Sequence, residues 1–293
     1  MADAAMVFDR EVETVGNAVH LEHVNTRVPD QRLATLFYIT GLGLTRDPYL
    51  MTGINNMWVN VGRSQFHLPT GAPQVVRGVT GLVVPARAAL LARLAAVAGD
   101  LAETSFAVRE TADYVETVSP WGNRIRCHAP APEFGPIQLG LAYVALDVPT
   151  GHAEGIARFY RDFLGIPAAT GRDAAGIFAR AAIGAYQALI FRETAAALPD
   201  FDGYHIQIYI ADFATPYRRL HARGLITEES DQHQYRFATL IDPLSGAPLF
   251  TLEHEVRSLR HPLFGRDLVN RDPVQTNLNY RPGRDTLAWS MPG

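Results

Sequence analysis

Two stretches of this chain recur at a nearly constant spacing, and that repetition limits the fold more than any single motif. Leu36-Phe37-Tyr38-Ile39-Thr40-Gly41-Leu42-Gly43-Leu44 is matched 122 residues on by Arg158-Phe159-Tyr160-Arg161-Asp162-Phe163-Leu164-Gly165-Ile166. Ser119-Pro120-Trp121-Gly122 is matched 123 residues on by Asp242-Pro243-Leu244-Ser245-Gly246. Two features at one spacing imply two similar halves. The Pro-rich stretch 129–136 falls between them, as a linker would.

Each half divides again. Four segments read as alternating strands: His23 to Val28, Val79 to Val84, Tyr143 to Val148 and His205 to Ile210. Helical stripes follow, at Leu33, Leu36 and Phe37, at Leu90, Leu91 and Leu94, at Ile156, Phe159, Tyr160 and Phe163, and at Phe213, Tyr217 and Leu220. More strand-like sequence comes after each, such as 57–61, 65–68, 187–191 and 249–253. The unit is strand, helix, then several strands, four times over. That is an α+β chain with helices packed on mixed sheets. The expected organisation is an N-terminal arm at 1–18, a two-module domain at 19–130, a linker at 131–138, a second two-module domain at 139–256 and an extended tail at 257–293 carrying Pro262, Pro273, Pro282 and Pro292. Such a tail would lie on the body or on a partner subunit, and a homodimer through it is one expectation.

Composition removes whole classes of chemistry. The net charge of −4 gives no case for a nucleic-acid partner or an anionic membrane. No apolar run is long enough to span a bilayer, because Gly81 to Gly99 is broken by Arg87 and Arg93. The first ten residues lack the features of a signal peptide, so a cytoplasmic location is expected. Cys127 is the single cysteine, which excludes an intrachain disulfide and a Cys-rich metal site. All 26 basic residues are arginine, so no lysine is present for a Schiff base or a phosphate-loop ammonium.

The segment His23-Val-Asn-Thr-Arg-Val-Pro-Asp30, followed by Phe37 to Leu44, resembles the opening of a module in the vicinal oxygen chelate superfamily. Ser119-Pro-Trp-Gly-Asn-Arg-Ile125 and Asp242-Pro-Leu-Ser-Gly-Ala-Pro-Leu249 resemble the hairpin before a module's last strand. The superfamily includes glyoxalase I, bleomycin-resistance proteins and extradiol ring-cleaving dioxygenases. The resemblance, over about residues 19 to 256, implies four βαβββ modules that pair into two curved mixed sheets around cavities. It also implies metal ligands on the first and last strands of paired modules, typically His on the first and His or Glu on the last.

Alternation sorts the candidates. Opposite the apolar phase, the first strands of modules one and four carry His23, Asn25 and Arg27, and His205, Gln207 and Tyr209. Val79 and Tyr143 stand at the ligand position of modules two and three. On the last strands, Gln65 and His67 share one face in module one. Thr251, Glu253 and Glu255 do so in module four, whereas Arg126 and Leu189 hold ligand-type positions in the other two. If module one pairs with module four, His23, His67, His205 and Glu253 converge, a set suited to one divalent ion such as Zn, Fe(II), Ni or Mn. Glu253, or a metal-bound water, would be the catalytic base, and Asn25, Arg27, Trp58, Gln207 and Tyr209 would contact a small substrate with vicinal oxygens. The activity expected first is a glyoxalase-like lyase or isomerase. An extradiol dioxygenase is second, with Tyr143 replacing that family's first histidine. A metal-free small-molecule binder of the bleomycin-resistance type is the alternative of another class. His20, His128, His152, His221, His233, His254 and His261 read as structural or surface residues.

Overall fold

The structure is a computed structural model that describes residues 9–50 and 53–280. The start of the expected N-terminal arm and the end of the tail lie outside those residues.

The chain passes through the same succession four times. The first is β1 (Ala18–Asn25), α1 (Gln31–Ala34), β2 (Thr45–Arg46), β3 (Asn56–Val61) and β4 (Ser64–Pro69). The second is β5 (Gly78–Val83), α2 (Arg87–Val97), β6 (Ala107–Glu110), β7 (Val115–Val118) and β8 (Arg124–His128). β9 (Gly140–Pro149), α3 (Ala153–Leu164), β10 (Ala168–Asp173), β11 (Gly176–Ile183) and β12 (Gln187–Thr194) form the third. β13 (His205–Ile210), α4 (Ala214–His221), β14 (Ile226–Asp231), β15 (Gln234–Ile241) and β16 (Pro248–Ser258) complete the fourth.

Pairing is crossed. One eight-stranded sheet runs β14-β15-β16-β13-β1-β4-β3-β2 and so joins the first and last modules. The other runs β10-β11-β12-β9-β5-β8-β7-β6 and joins the middle two. Neither sheet is confined to one half of the chain. In each, the two first strands meet antiparallel at the centre, and each last strand lies parallel to its own first strand.

The helices cover the apolar faces. Ile156, Phe159, Tyr160 and Phe163 of α3 are buried, as the i, i+3, i+4 spacing requires, and α3 touches strands of both sheets. Asp30 caps α1, its carboxylate accepting from the backbone N–H of Arg32 and Leu33 at 2.7 and 2.9 Å. α1 runs straight into a π-helical segment, Thr35–Gly41, whose wider turn shows in the bond from Leu42 N to Phe37 O. Gly43, at φ +75°, supplies the left-handed residue that ends it.

β1 starts and ends earlier than alternation predicts, at Ala18 and Asn25. Val28 makes only an isolated bridge to Thr70, and Pro29 has no N–H to extend the ladder. β1 is also bulged twice against β13, with one extra residue between Ala18 and His20 and another between Leu21 and His23. The second bulge shapes the site described next.

The tail returns to the first module. Asn270 pairs reciprocally with Gly62, Asn60 donates to Val269 O, and Arg266 reaches Asp47 Oδ2 at 2.7 Å. No helix among the described residues is long and apolar enough to cross a membrane.

Candidate metal centre

The polar face of the first sheet gathers residues from the four strands at its centre. His23 lies opposite Gln207, and Asn25 opposite His205, across the β1–β13 pair. His67 sits beside Asn25 on β4, and Glu255 sits beside Gln207 on β16. These registers are related by a local two-fold axis. It exchanges His23 with His205, Asn25 with Gln207, and His67 with Glu255. Glu253 exchanges with Gln65, which is next to His23.

One ring nitrogen from each of His23, His67 and His205 lies within 4.8 Å of the others, the sole such group of possible metal ligands among the described residues. His23 Nε2 and His205 Nε2 are 3.5 Å apart. His67 Nε2 is buried and has no hydrogen bond. The opposite ring nitrogens face outward to polar partners. His23 Nδ1 is 2.7 Å from Glu22 Oε2, His67 Nδ1 is 2.6 Å from the Asn25 amide, and His205 Nδ1 is 3.7 Å from Glu253 Oε2. This arrangement of inner and outer nitrogens orients imidazoles around a cation. An Asn25 amide turned to present its oxygen accepts a hydrogen bond from Nδ1–H and leaves Nε2 with its lone pair.

Glu22 reaches its place through the bulge. In a regular strand it would share the helix-facing side with Val24; as the extra residue it bonds to its neighbour His23 on the polar side. Alternation therefore missed it.

Two arginines balance the buried acids. Arg257 lies 3.6 Å from Glu22 and 2.7 Å from Glu255, while Arg236 bonds to Glu255 and to Glu253 at 3.3 Å. Burial raises the Glu22 carboxyl, but His23 and Arg257 outweigh it and hold it down at about 2. Burial, assisted by His23, lowers His67 to about 3, and the same causes put His205 well below an ordinary imidazole. Both rings stay neutral at pH 7, the form that ligates. Burial raises Glu253, with Arg236 opposing.

The other sequence candidates divide. Trp58 stacks on His67, ring centres 3.8 Å apart. Gln207 is fully buried, and neither its amide nitrogen nor its oxygen has a partner. Tyr209 lies on the same face as Gln207, at the far end of β13 from His205. Arg27 is exposed, beyond the end of β1. Glu255 Oε2 stands 3.6 Å from His205 Nε2, on the inner side, whereas Glu253 faces the outer nitrogen.

The second sheet carries a different set. Tyr143 lies opposite Gly81, and its ring fills the space that a side chain at Gly81 would take, 2.2 Å from an added Cβ. The same registers place Val79, Arg126 and Ile190 where the first sheet has His205, Glu255 and His67. Leu189, expected at that position, is instead in the core beside Val144. His254, read as structural, is fully buried on the helix side of β16 and bonds to Tyr160 Oη at 2.6 Å.

No protein-family profile matches the sequence, and neither does any curated protein. Solved structures do match. Glyoxalase I from Zea mays superposes with a TM-score of 0.59 at 13% identity, over 82% of this chain and 92% of that one. A Bacillus subtilis protein described as a "putative dioxygenase" gives 0.54 at 15% identity, over 83% and 86%. Both likenesses reach across the two sheets, so they concern the whole architecture. The chain has the fold of the vicinal oxygen chelate superfamily, the family its sequence resembles.

Proposed function

We propose that the protein is a metal-dependent enzyme acting on a small substrate with two neighbouring oxygens, of glyoxalase-like lyase or isomerase type. The observation that carries this reading is the convergence of three imidazoles from three strands, each with its outer nitrogen met by a polar group. The donor set fits a divalent ion such as Zn, Fe(II), Ni or Mn, because the rings are held neutral and His67 Nε2 is buried without a partner.

His23, His67 and His205 would hold the ion. The two-fold register and the inner position of its oxygen favour Glu255, in place of Glu253, as the fourth ligand. A divalent ion held there would supply Lewis-acid stabilisation of negative charge developing on two neighbouring substrate oxygens. Glu22 and Asn25 orient the first two histidines, and Trp58 fixes the plane of His67. Glu253, held on one oxygen by Arg236 and part-exposed, would take the proton: burial raises its pKa, which suits a general base. The unpartnered amide of Gln207 can bond a substrate oxygen on either of its atoms.

A binder of small molecules is the second reading. Val79, Arg126, Tyr143 and Ile190 at the corresponding positions of the other sheet favour it for that face. Comparing Glu255→Gln with Glu253→Gln tests the assignment. The first should lose bound metal. The second should keep metal and lose turnover of an α-ketoaldehyde–thiol adduct. Metal retained in Glu255→Gln and lost in Glu253→Gln would reverse the roles.

A further inference from the structure

A cavity of about 660 Å³ lies at the other end of the same polar face, walled on one side by Val19 and Tyr209 and on the other by the returning tail, Leu263 to Val269. None of the three clustered histidines lines it. Glu22, paired with Arg257 at 3.6 Å, stands between the cavity and His23. We propose that this cavity is a separate binding site for a neutral, mainly aromatic small molecule bearing one hydrogen-bonding oxygen.

Four observations carry the assignment. The volume falls in the range of small-molecule pockets, and aromatic and aliphatic side chains make up most of the walls. Tyr209 lines the cavity while almost fully buried; its hydroxyl oxygen faces the Arg257 guanidinium, which can only donate to it, so the O–H proton is left without an acceptor. The charged groups leave no net charge for an ion to meet. Glu22 is engaged by His23 and Arg257, and Arg266 by Asp47 and Gln65. The two exposed charges at the rim, Arg63 and Asp267, are opposite in sign. Phe264 meets the Tyr209 ring edge-on at 4.9 Å, so a planar guest can extend an aromatic pair that already exists.

The wall supplied by the tail is fixed in place. The Asn270–Gly62 pair and the Arg266–Asp47 ion pair anchor it on both sides of the 267–269 stretch. The pocket is therefore formed before a guest arrives, which lowers the ordering cost of binding.

1-Naphthol is a suitable probe, neutral and fluorescent with one hydroxyl. Titrated against the full-length protein as purified, it should bind saturably at one site per chain. Phe264→Ala and Tyr209→Phe should each weaken binding by roughly three- to tenfold, the size of one aromatic contact or one hydrogen bond. His67→Ala should leave binding unchanged. Absence of saturable binding to the wild type overturns the proposal. So does binding that is lost in His67→Ala but indifferent to Phe264→Ala and Tyr209→Phe, because the guest would then sit at the histidines.

Discussion

Glu22 illustrates how one residue can set a site without touching its centre. Its carboxylate bonds to His23 Nδ1 and is itself steadied by Arg257. Replacing it with Gln keeps the size but gives up the charge, and partners of this kind are worth roughly 10- to 100-fold in metal affinity. Glu22→Gln should therefore weaken metal binding by about that factor in a competition titration with a chelator. An unchanged affinity would mean that His23 is oriented by something else. Cys127 gives a second test at this scale. Burial pushes its thiol up to about 12, so it should resist iodoacetamide at pH 8 in the native protein and react once urea unfolds the chain. Rapid native alkylation would show that β8 opens. The histidines at the site were legible because strand alternation puts them opposite apolar neighbours. Glu22 was not, since a bulge breaks the alternation on which the reading relies. The choice between Glu253 and Glu255 was not legible either. Both lie on the polar side of β16, and only the register with β13 separates them.

At the scale of elements, β16 binds the two faces of the sheet together. Glu253, Glu255 and Arg257 point to the site, while His254 points into the core against Tyr160 of α3 and stacks on Phe237 of β15 at 4.4 Å. Burial lowers His254 to about 4 in the folded chain, against 6.5 for an ordinary imidazole. Between those values the unfolded chain binds the extra proton, so stability falls as pH drops from 6.5 and this contribution is exhausted below 4. The full loss is on the order of 3 kcal/mol. Urea midpoints measured at pH 7 and pH 4.5 should differ, and His254→Gln, which cannot titrate, should shrink the difference. An equal difference in both proteins would assign the pH dependence elsewhere. The helices were readable from their stripes, α3 most clearly. The π-helical turn after α1 was not readable, because the same side chains suit an α-helix.

At the scale of the molecule, crossed pairing means that the candidate metal centre needs both ends of the chain. β1 and β4 come from the first module, β13 and β16 from the last. The linker between 129 and 136 lies outside both sheets, so separating the halves there cuts no strand. Fragments 1–132 and 133–293, made separately, should each fail to hold a divalent ion, and mixing them after co-refolding should restore it. A fragment that binds metal alone with wild-type affinity would show that the sheet does not have to be shared. The crossed arrangement could be inferred from where the ligand-type residues fall, since His23, His67 and His205 converge in no other pairing of the modules. The path of the tail could not, because its Pro-rich sequence has no periodicity. Its position rests on a few specific bonds, such as Asn270 to Gly62.

The most direct test is the metal content of the purified protein, measured by inductively coupled plasma mass spectrometry beside that of His67→Ala. The account predicts about one tightly held divalent ion per chain in the wild type and almost none in the variant, with both proteins folded by circular dichroism. A wild type that stays metal-free after incubation with Zn, Fe(II), Ni and Mn salts, or a variant that keeps its ion, would contradict it.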